Sequence, residues 1–319
     1  MRPVLSTAFT ELVGCQVPIQ LAGMPQVTVP RLAAAVANAG GLGMVVTPTD
    51  QIVQVLEQLA NETTGKFGIN FLIPFLDLDA VEAASPLARV VDFHFGEPDA
   101  GLVDRVHQGG ALAGWQVGSA DEARAAADAG CDFLVAQGTE AGGHVRGELP
   151  LLVLLEGVLD AVEVPVLGSG GIASARTMAA ALAAGASGVR VGTRFVASTE
   201  SGAHPRYVEM LLRARATDTV LTTTFSVGWP DAPHRVLRSC VEAAEDFQGE
   251  IVGEQHLESL TTPIPRFTPF PPGDMTTGEI EAMALYAGQS VGMVDVVKPA
   301  AAIVAELAEG AEQLLGRWA

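Results

Sequence analysis

From Pro18 to about Val196 the chain keeps one rhythm: a short apolar run rich in Val, Ile and Phe, then a longer Ala-rich stretch with apolar positions at helical spacing. Continuous apolar runs bounded by turn residues are the mark of strands buried on both faces, and the helical stretches supply the crossovers that parallel strands require. The runs predict strands at Pro18–Ala22, Gly43–Val46, Phe67–Leu72, Val90–Phe95, Leu112–Val117, Phe133–Ala136, Val164–Gly168 and Gly188–Val191. Such a set closes a (β/α)8 TIM barrel, an α/β fold.

Helices are predicted at Pro30–Ala39, Gln51–Asn61, Ala120–Ala129 and Ala175–Ala184. Ser119 and Ser174 stand where an N-cap accepts backbone amides. Ala39-Gly40, Ala129-Gly130 and Ala184-Gly185 place glycine where a left-handed residue stops a helix.

After Val196 the rhythm breaks. A helix is predicted at Pro205–Ala214, followed by a long irregular stretch from Thr217 to Asp274 that includes the Pro-rich TTPIPRFTPFPPGD. Stretches of this length inside a compact protein usually cover an active site. Helical periodicity resumes over Thr277–Leu285 and Pro299–Leu315. The expected division is a barrel over residues 1–216, an inserted lid or substrate segment over 217–276, and C-terminal helices over 277–319 packing back on the barrel. Those tail helices suit either closure of the barrel base or pairing into a homodimer.

Charge narrows the partners. Among 319 residues, 37 acidic against 18 basic side chains give a net charge of −19. That field repels nucleic acid and anionic membranes, so any bound phosphate must be held locally by backbone amides. No apolar run approaches the roughly 20 residues of a membrane span. The opening MRPVLSTAFTELVG lacks the basic, apolar and small-residue order of a secretory signal, so a cytoplasmic location is expected. Cys15, Cys131 and Cys240 are far apart, which argues against zinc or a disulfide framework. The histidines show no metal-ligand spacing either.

Candidate chemistry lies at strand ends. Over Pro165–Phe195 an apolar strand runs into Gly168-Ser169-Gly170-Gly171, and one βα unit later a second strand ends in Gly192-Thr193. In barrels of this kind the loops after strands seven and eight form a phosphate site, where missing side chains let N–H groups reach the oxygens. Directly after the sixth strand, AQGTEAGGHVRG sets Gln137, Glu140, Gly143 and His144 on a Gly-rich loop. Histidine titrates nearest neutrality, so His144 is the expected acid–base residue. His94, ending the fourth strand, serves either substrate or packing. Ala22-Gly23-Met24 after the first strand offers flat, small-residue backbone for a planar ring. Asn70 and Gln116, ending strands three and five, carry amides able to bond such a ring. Phe225, Trp229 and Phe267 are candidate apolar liners of the lid, or else a small core of its own.

These segments resemble the nitronate monooxygenase family, once called 2-nitropropane dioxygenases, which also includes flavin-dependent enoyl-ACP reductases and NAD(P)H:quinone reductases. The resemblance runs from Pro18 to about Val304. It rests above all on QGTEAGGH at Gln137–His144, with GGI at Gly170–Ile172, GTRF at Gly192–Phe195, GIN at Gly68–Asn70 and YAGQ at Tyr286–Gln289. It implies non-covalent FMN with its phosphate on Gly170, Gly171, Gly192 and Thr193, and its ring near Ala22, Gly23, Met24 and Asn70. Gln116, Gly143 and Gln289 are further implied contacts, and His144 matches the family's active-site histidine. Many relatives carry Ala-Pro-Met where this chain has Ala22-Gly23-Met24, so the ring contact there is a departure.

The expected function is FMN-dependent oxidation of a nitronate or nitroalkane by O2 to a carbonyl compound and nitrite. The alternative keeps FMN but takes hydride from NAD(P)H for an enoyl thioester, enone or quinone. A third reading, of another class, is a barrel binding some other phosphorylated ligand without redox chemistry.

Overall fold

The computed structural model describes residues 5–257 and 260–317. Along the chain run strands Ile19–Leu21 (β1), Leu42–Val45 (β2), Lys66–Leu72 (β3), Val90–His94 (β4), Leu112–Val117 (β5), Phe133–Gln137 (β6), Gly143–His144 (β7), Val166–Ser169 (β8) and Gly188–Val191 (β9). All but β7 close a parallel barrel in the order β1-β2-β3-β4-β5-β6-β8-β9. The seam joins β1 to β9 through Ile19↔Val189, Gln20↔Arg190 and Leu21↔Val191. Each predicted strand forms, with Leu112–Val117 and Gly188–Val191 at the expected bounds and one or both ends of the others moved by a residue or two.

The reason is burial. Residues of β2, β6, β8 and β9 are buried without interruption, as strands covered by side-chain layers inside and helices outside must be. The crossover helices form where predicted. Ser119 accepts from the Glu122 N–H, and Ser174 from the Thr177 N–H within a reciprocal capping box. Gly40, Gly130 and Gly185 stop their helices at φ of 90°, 94° and 104°, a region that disfavours any Cβ.

Beyond the barrel the chain builds a second hydrophobic cluster, which includes Tyr207, Leu211, Phe225, Val236, Cys240 and Leu285. Strand Thr219–Thr222 (β10) pairs antiparallel with His234–Leu237 (β11), and β11 pairs in turn with β7. A further sheet joins Ile251–Leu257 (β12) to Leu260–Pro265 (β13) on one side and to Thr276–Gly278 (β14) on the other. This second cluster and the β7–β11 pairing hold the segment after Val196 against the strand ends of the barrel.

The tail departs from expectation in one place. Thr277–Leu285 does not form a helix: it contributes β14 and then a single 3-10 turn at Ile280–Ala282. Its first residues find ladder partners on β12 (Gly253↔Gly278, Glu254↔Thr277), and Gly278 sits at φ 114°. The apolar residues that follow, Met283, Ala284 and Leu285, bury in the second cluster, with Leu285 O accepting from the Leu237 N–H. Sheet pairing therefore overrides the helical spacing. The helices Pro205–Arg213 and Ala300–Leu315 do form. The latter buries Ile303, Val304 and Leu307 in the barrel's core cluster, packing on the helices Ala175–Ala183 and Pro30–Asn38. Among the described residues, no helix is long and apolar enough to cross a membrane.

Candidate active site

The strand ends of the barrel open into a cavity of about 1010 Å³, its mouth included. Ala22, Gly23, Met24, Asn70, His94, Gln116, Gln137, Gly143, His144, Ser169, Gly170, Gly171, Gly192, Thr193 and Trp229 all line it. Residues separated by up to most of the barrel's length in sequence thus share one wall, because every parallel strand delivers its C-terminal end to the same rim.

One side of this cavity is bare backbone. Gly170 and Gly171 follow β8 at φ 104° and 71°, and Gly192 and Thr193 follow β9. Among the described residues, none of these four N–H groups has a hydrogen-bond acceptor. Backbone amides rarely stay unpaired away from water, so four unpaired N–H groups on residues lining one cavity are available to an acceptor there. At φ 104° any side chain on Gly170 would be strained, and its Cβ would stand 3.0 Å from Gly138 O and 3.1 Å from Ala141 N, close enough to force that backbone to give.

The floor is polar and charged. Asp92 on β4 and Arg190 on β9 form an ion pair with their side chains 1% and 4% exposed. Gln20 bridges the pair, donating to Asp92 Oδ2 at 2.8 Å and accepting from Arg190 Nε at 3.0 Å. Asn70 donates to Asp92 Oδ1, and Arg190 donates to Gln116 Oε1 at 2.7 Å. Burial pushes the Asp92 carboxyl up, while the Arg190 guanidinium and the Asn70 and Gln20 amides pull it back. Asp92 and Arg190 were not among the residues expected at the site. Their signal was a lone charge inside an otherwise apolar run, in VVDFHF and GVRVG, which a buried strand tolerates only with a partner.

His144 is fixed by the lid. As part of β7 it pairs with His234 of β11, and the Gln137 side chain donates to its carbonyl oxygen at 3.0 Å. Its ring stacks on Trp229 with centroids 3.8 Å apart at 20°, and lies 5.1 Å from the His234 ring. His144 Nε2 is buried without a hydrogen-bond partner, and so are His94 Nε2 and Gln116 Nε2. Burial lowers the His144 pKa to about 2, with His234 and His94 adding to the effect. For His94 burial, then Arg190 and Arg146, lowers it to about 3. Both rings are neutral at ordinary pH.

Two expected contacts are not at the cavity. Gln289 has an exposed side chain; its backbone N–H donates to Glu140 O at 2.9 Å, and its neighbour Ser290 faces the cavity instead. Phe225 is fully buried in the second cluster, against Phe267 at 6.4 Å and His234 at 5.9 Å. Phe225 and Phe267, from separate loops, pack into the second cluster, whereas Trp229 stacks on His144. Further apolar wall comes from Tyr286 of the YAGQ motif and from Leu72, Tyr207, Pro269 and Phe270, for which no site role was expected.

The family model described as nitronate monooxygenase matches residues 6–85 and 76–310. The chain belongs to the nitronate monooxygenase family. It is an oxidoreductase. A Rhodococcus jostii protein named (3aS,4S,5R,7aS)-5-hydroxy-7a-methyl-1-oxo-octahydro-1H-indene-4-carboxyl-CoA dehydrogenase is 36% identical over 256 residues, 78% of this chain and 70% of that one. FabK from Thermotoga maritima superposes with a TM-score of 0.81 at 30% identity, covering 98% of both chains. Nitroalkane oxidase from Streptomyces ansochromogenes gives a TM-score of 0.74 at 30% identity, over 97% of this chain and 100% of that one.

Proposed function

We propose that this oxidoreductase uses FMN to oxidise alkyl nitronates with O2, yielding a carbonyl compound and nitrite. The observation that carries the reading is the pairing of a neutral, unpartnered imidazole with an unsatisfied amide cradle on the walls of one cavity.

The residues fit the cofactor. Free N–H groups of Gly170, Gly171, Gly192 and Thr193 would hold its phosphate, supplying locally the attraction that a net charge of −19 denies. Ala22, Gly23 and Met24 would carry the ring, with the Gln116 and Asn70 amides at its polar edge. Bound there, FMN would take electrons from the substrate and pass them to O2.

His144 handles the proton. Its neutral ring can accept one at Nε2 from the carbon beside a nitro group, which a resting imidazolium could not do. Burial makes an isolated imidazolium unfavourable, yet the proton transfer itself leaves a nitronate anion alongside, and that opposite charge offsets the lost hydration. A preformed nitronate needs no such transfer and uses the ring for orientation. Trp229, stacked on His144, keeps bulk water from the ring.

Anaerobic mixing of the FMN-loaded protein with ethylnitronate, propionate-3-nitronate, NADH and NADPH in turn tests the reading. A nitronate should bleach the flavin absorbance, and in air nitrite should appear in step with O2 uptake. Bleaching by a nicotinamide alone, with none by either nitronate, would reject it.

A second reading has its own support. At the mouth Phe75 and Phe270 are 44% and 39% exposed, with Phe75 5.1 Å from Trp229 and 6.1 Å from Phe270. An aromatic rim of this kind suits a longer apolar substrate, such as an enoyl thioester or a quinone reduced at the expense of NAD(P)H. The relative named for a carboxyl-CoA substrate points the same way. Turnover of an added enoyl thioester or quinone by the NAD(P)H-reduced protein would establish it.

A further inference from the structure

We propose that the buried Asp92–Arg190 pair is a positioning device that fixes which end of the Gln116 and Asn70 amides faces the cofactor ring. The inference rests on the FMN reading and adds two residues to which no role in it has been given.

The chemistry of the partners settles each amide. A guanidinium only donates, so the Gln116 atom 2.7 Å from Arg190 must be its carbonyl oxygen. The other end, Nε2, buried and without a partner, is thereby held toward the cavity as a donor. A carboxylate only accepts, so Asn70 must turn its NH2 to Asp92, whose backbone oxygen lies 3.3 Å from the same nitrogen. Asn70 Oδ1 is left as an acceptor with no partner among the described residues. Gln20 locks the pair from behind, donating to Asp92 and accepting from Arg190.

An amide with both ends free turns over at little cost; these two cannot. The floor therefore presents one fixed donor and one fixed acceptor, which matches a ring edge on which carbonyl oxygens and N–H groups alternate. Because carboxylate and guanidinium cancel, the device sets direction while adding no net charge. Two buried charges are expensive to keep unless their hydrogen-bonding capacity is used, and here the pair bonds three amides.

Two variants test it. Gln116→Glu keeps size and the contact to Arg190 but puts an acceptor where the donor stood. Asp92→Asn with Arg190→Gln removes both charges together, so neither is left buried alone. Apo-protein is titrated with FMN by quenching of flavin fluorescence, the midpoint potential of the bound flavin is measured, and circular dichroism reports the fold. Expected are wild-type circular dichroism, FMN affinity roughly tenfold weaker in each variant, the effect of about one lost hydrogen bond, and a lowered midpoint potential. Wild-type affinity and potential in Gln116→Glu would overturn the proposal, and this holds even if the double variant does not fold. Failure of the wild-type apo-protein to bind FMN would instead remove the FMN reading, and this inference with it.

Discussion

His144 and His94 carry opposite messages about the same property. Burial holds both rings neutral, which serves a residue that must receive a proton, and it makes both a liability in acid. Their pKa values are depressed, to about 2 and about 3, so as pH falls the unfolded chain binds protons that the folded chain refuses. The stability tied to their neutrality is whole above about pH 6.5 and is lost progressively below it, by about 2 kcal/mol per histidine between about pH 7 and about pH 5. Urea melts of the apo-protein at those two pH values should show the loss, and His94→Gln should remove about half of it. An equal loss in variant and wild type would place the acid sensitivity elsewhere. For catalysis, His144→Ala should keep FMN but lose about 10²–10⁴-fold of kcat/KM on neutral nitroalkanes, with a smaller loss on preformed nitronates. Unchanged rates on the neutral substrates would take His144 out of the proton transfer. At this scale the sequence singled out His144 through its Gly-rich loop. It missed Asp92 and Arg190, since a charge in an apolar run tells nothing of its partner 98 residues away.

Elements were legible to the extent that their own residues hold them. Barrel strands and crossover helices follow the rhythm of apolar positions, and Ser119 and Ser174 cap where their spacing places them. Thr277–Leu285 failed that reading because its partners, β12 and the helix Arg238–Asp246, lie outside it. The loop after β6 shows the same dependence. It passes so close to the segment after Leu285 that a Cβ on Gly142 would lie 2.5 Å from Gly288 N and 2.8 Å from Ala287 C. Backbone on both sides leaves no room to adjust, and overpacking of this kind costs about 1–3 kcal/mol. Gly142→Ala should therefore lower the thermal midpoint and, by moving β7, reduce the FMN retained after gel filtration. A variant with full stability and full flavin content would mean that the two loops are not held in this register.

The whole molecule acts on its substrates before they arrive. A net charge of −19 repels nitronates, nicotinamide dinucleotides and thioesters of CoA alike. Raising salt from about 10 mM to about 150 mM shortens the screening length from about 30 Å to about 8 Å. The kcat/KM for an anionic nitronate should accordingly rise with salt, while that for a neutral nitroalkane stays level; a fall for the anion would point to a local positive funnel at the mouth. What the sequence determined by itself is everything carried by short-range repetition: the strand and helix order, the barrel they close, the glycine loops at its rim and the histidine beside them. Only the tertiary structure decided which aromatic covers His144, that Gln289 and Phe225 turn away from the cavity, and that Asp92 and Arg190 meet beneath it. Those outcomes depend on pairs of groups distant along the chain, whose contact is set by strand register and lid packing, and a linear pattern carries no record of either.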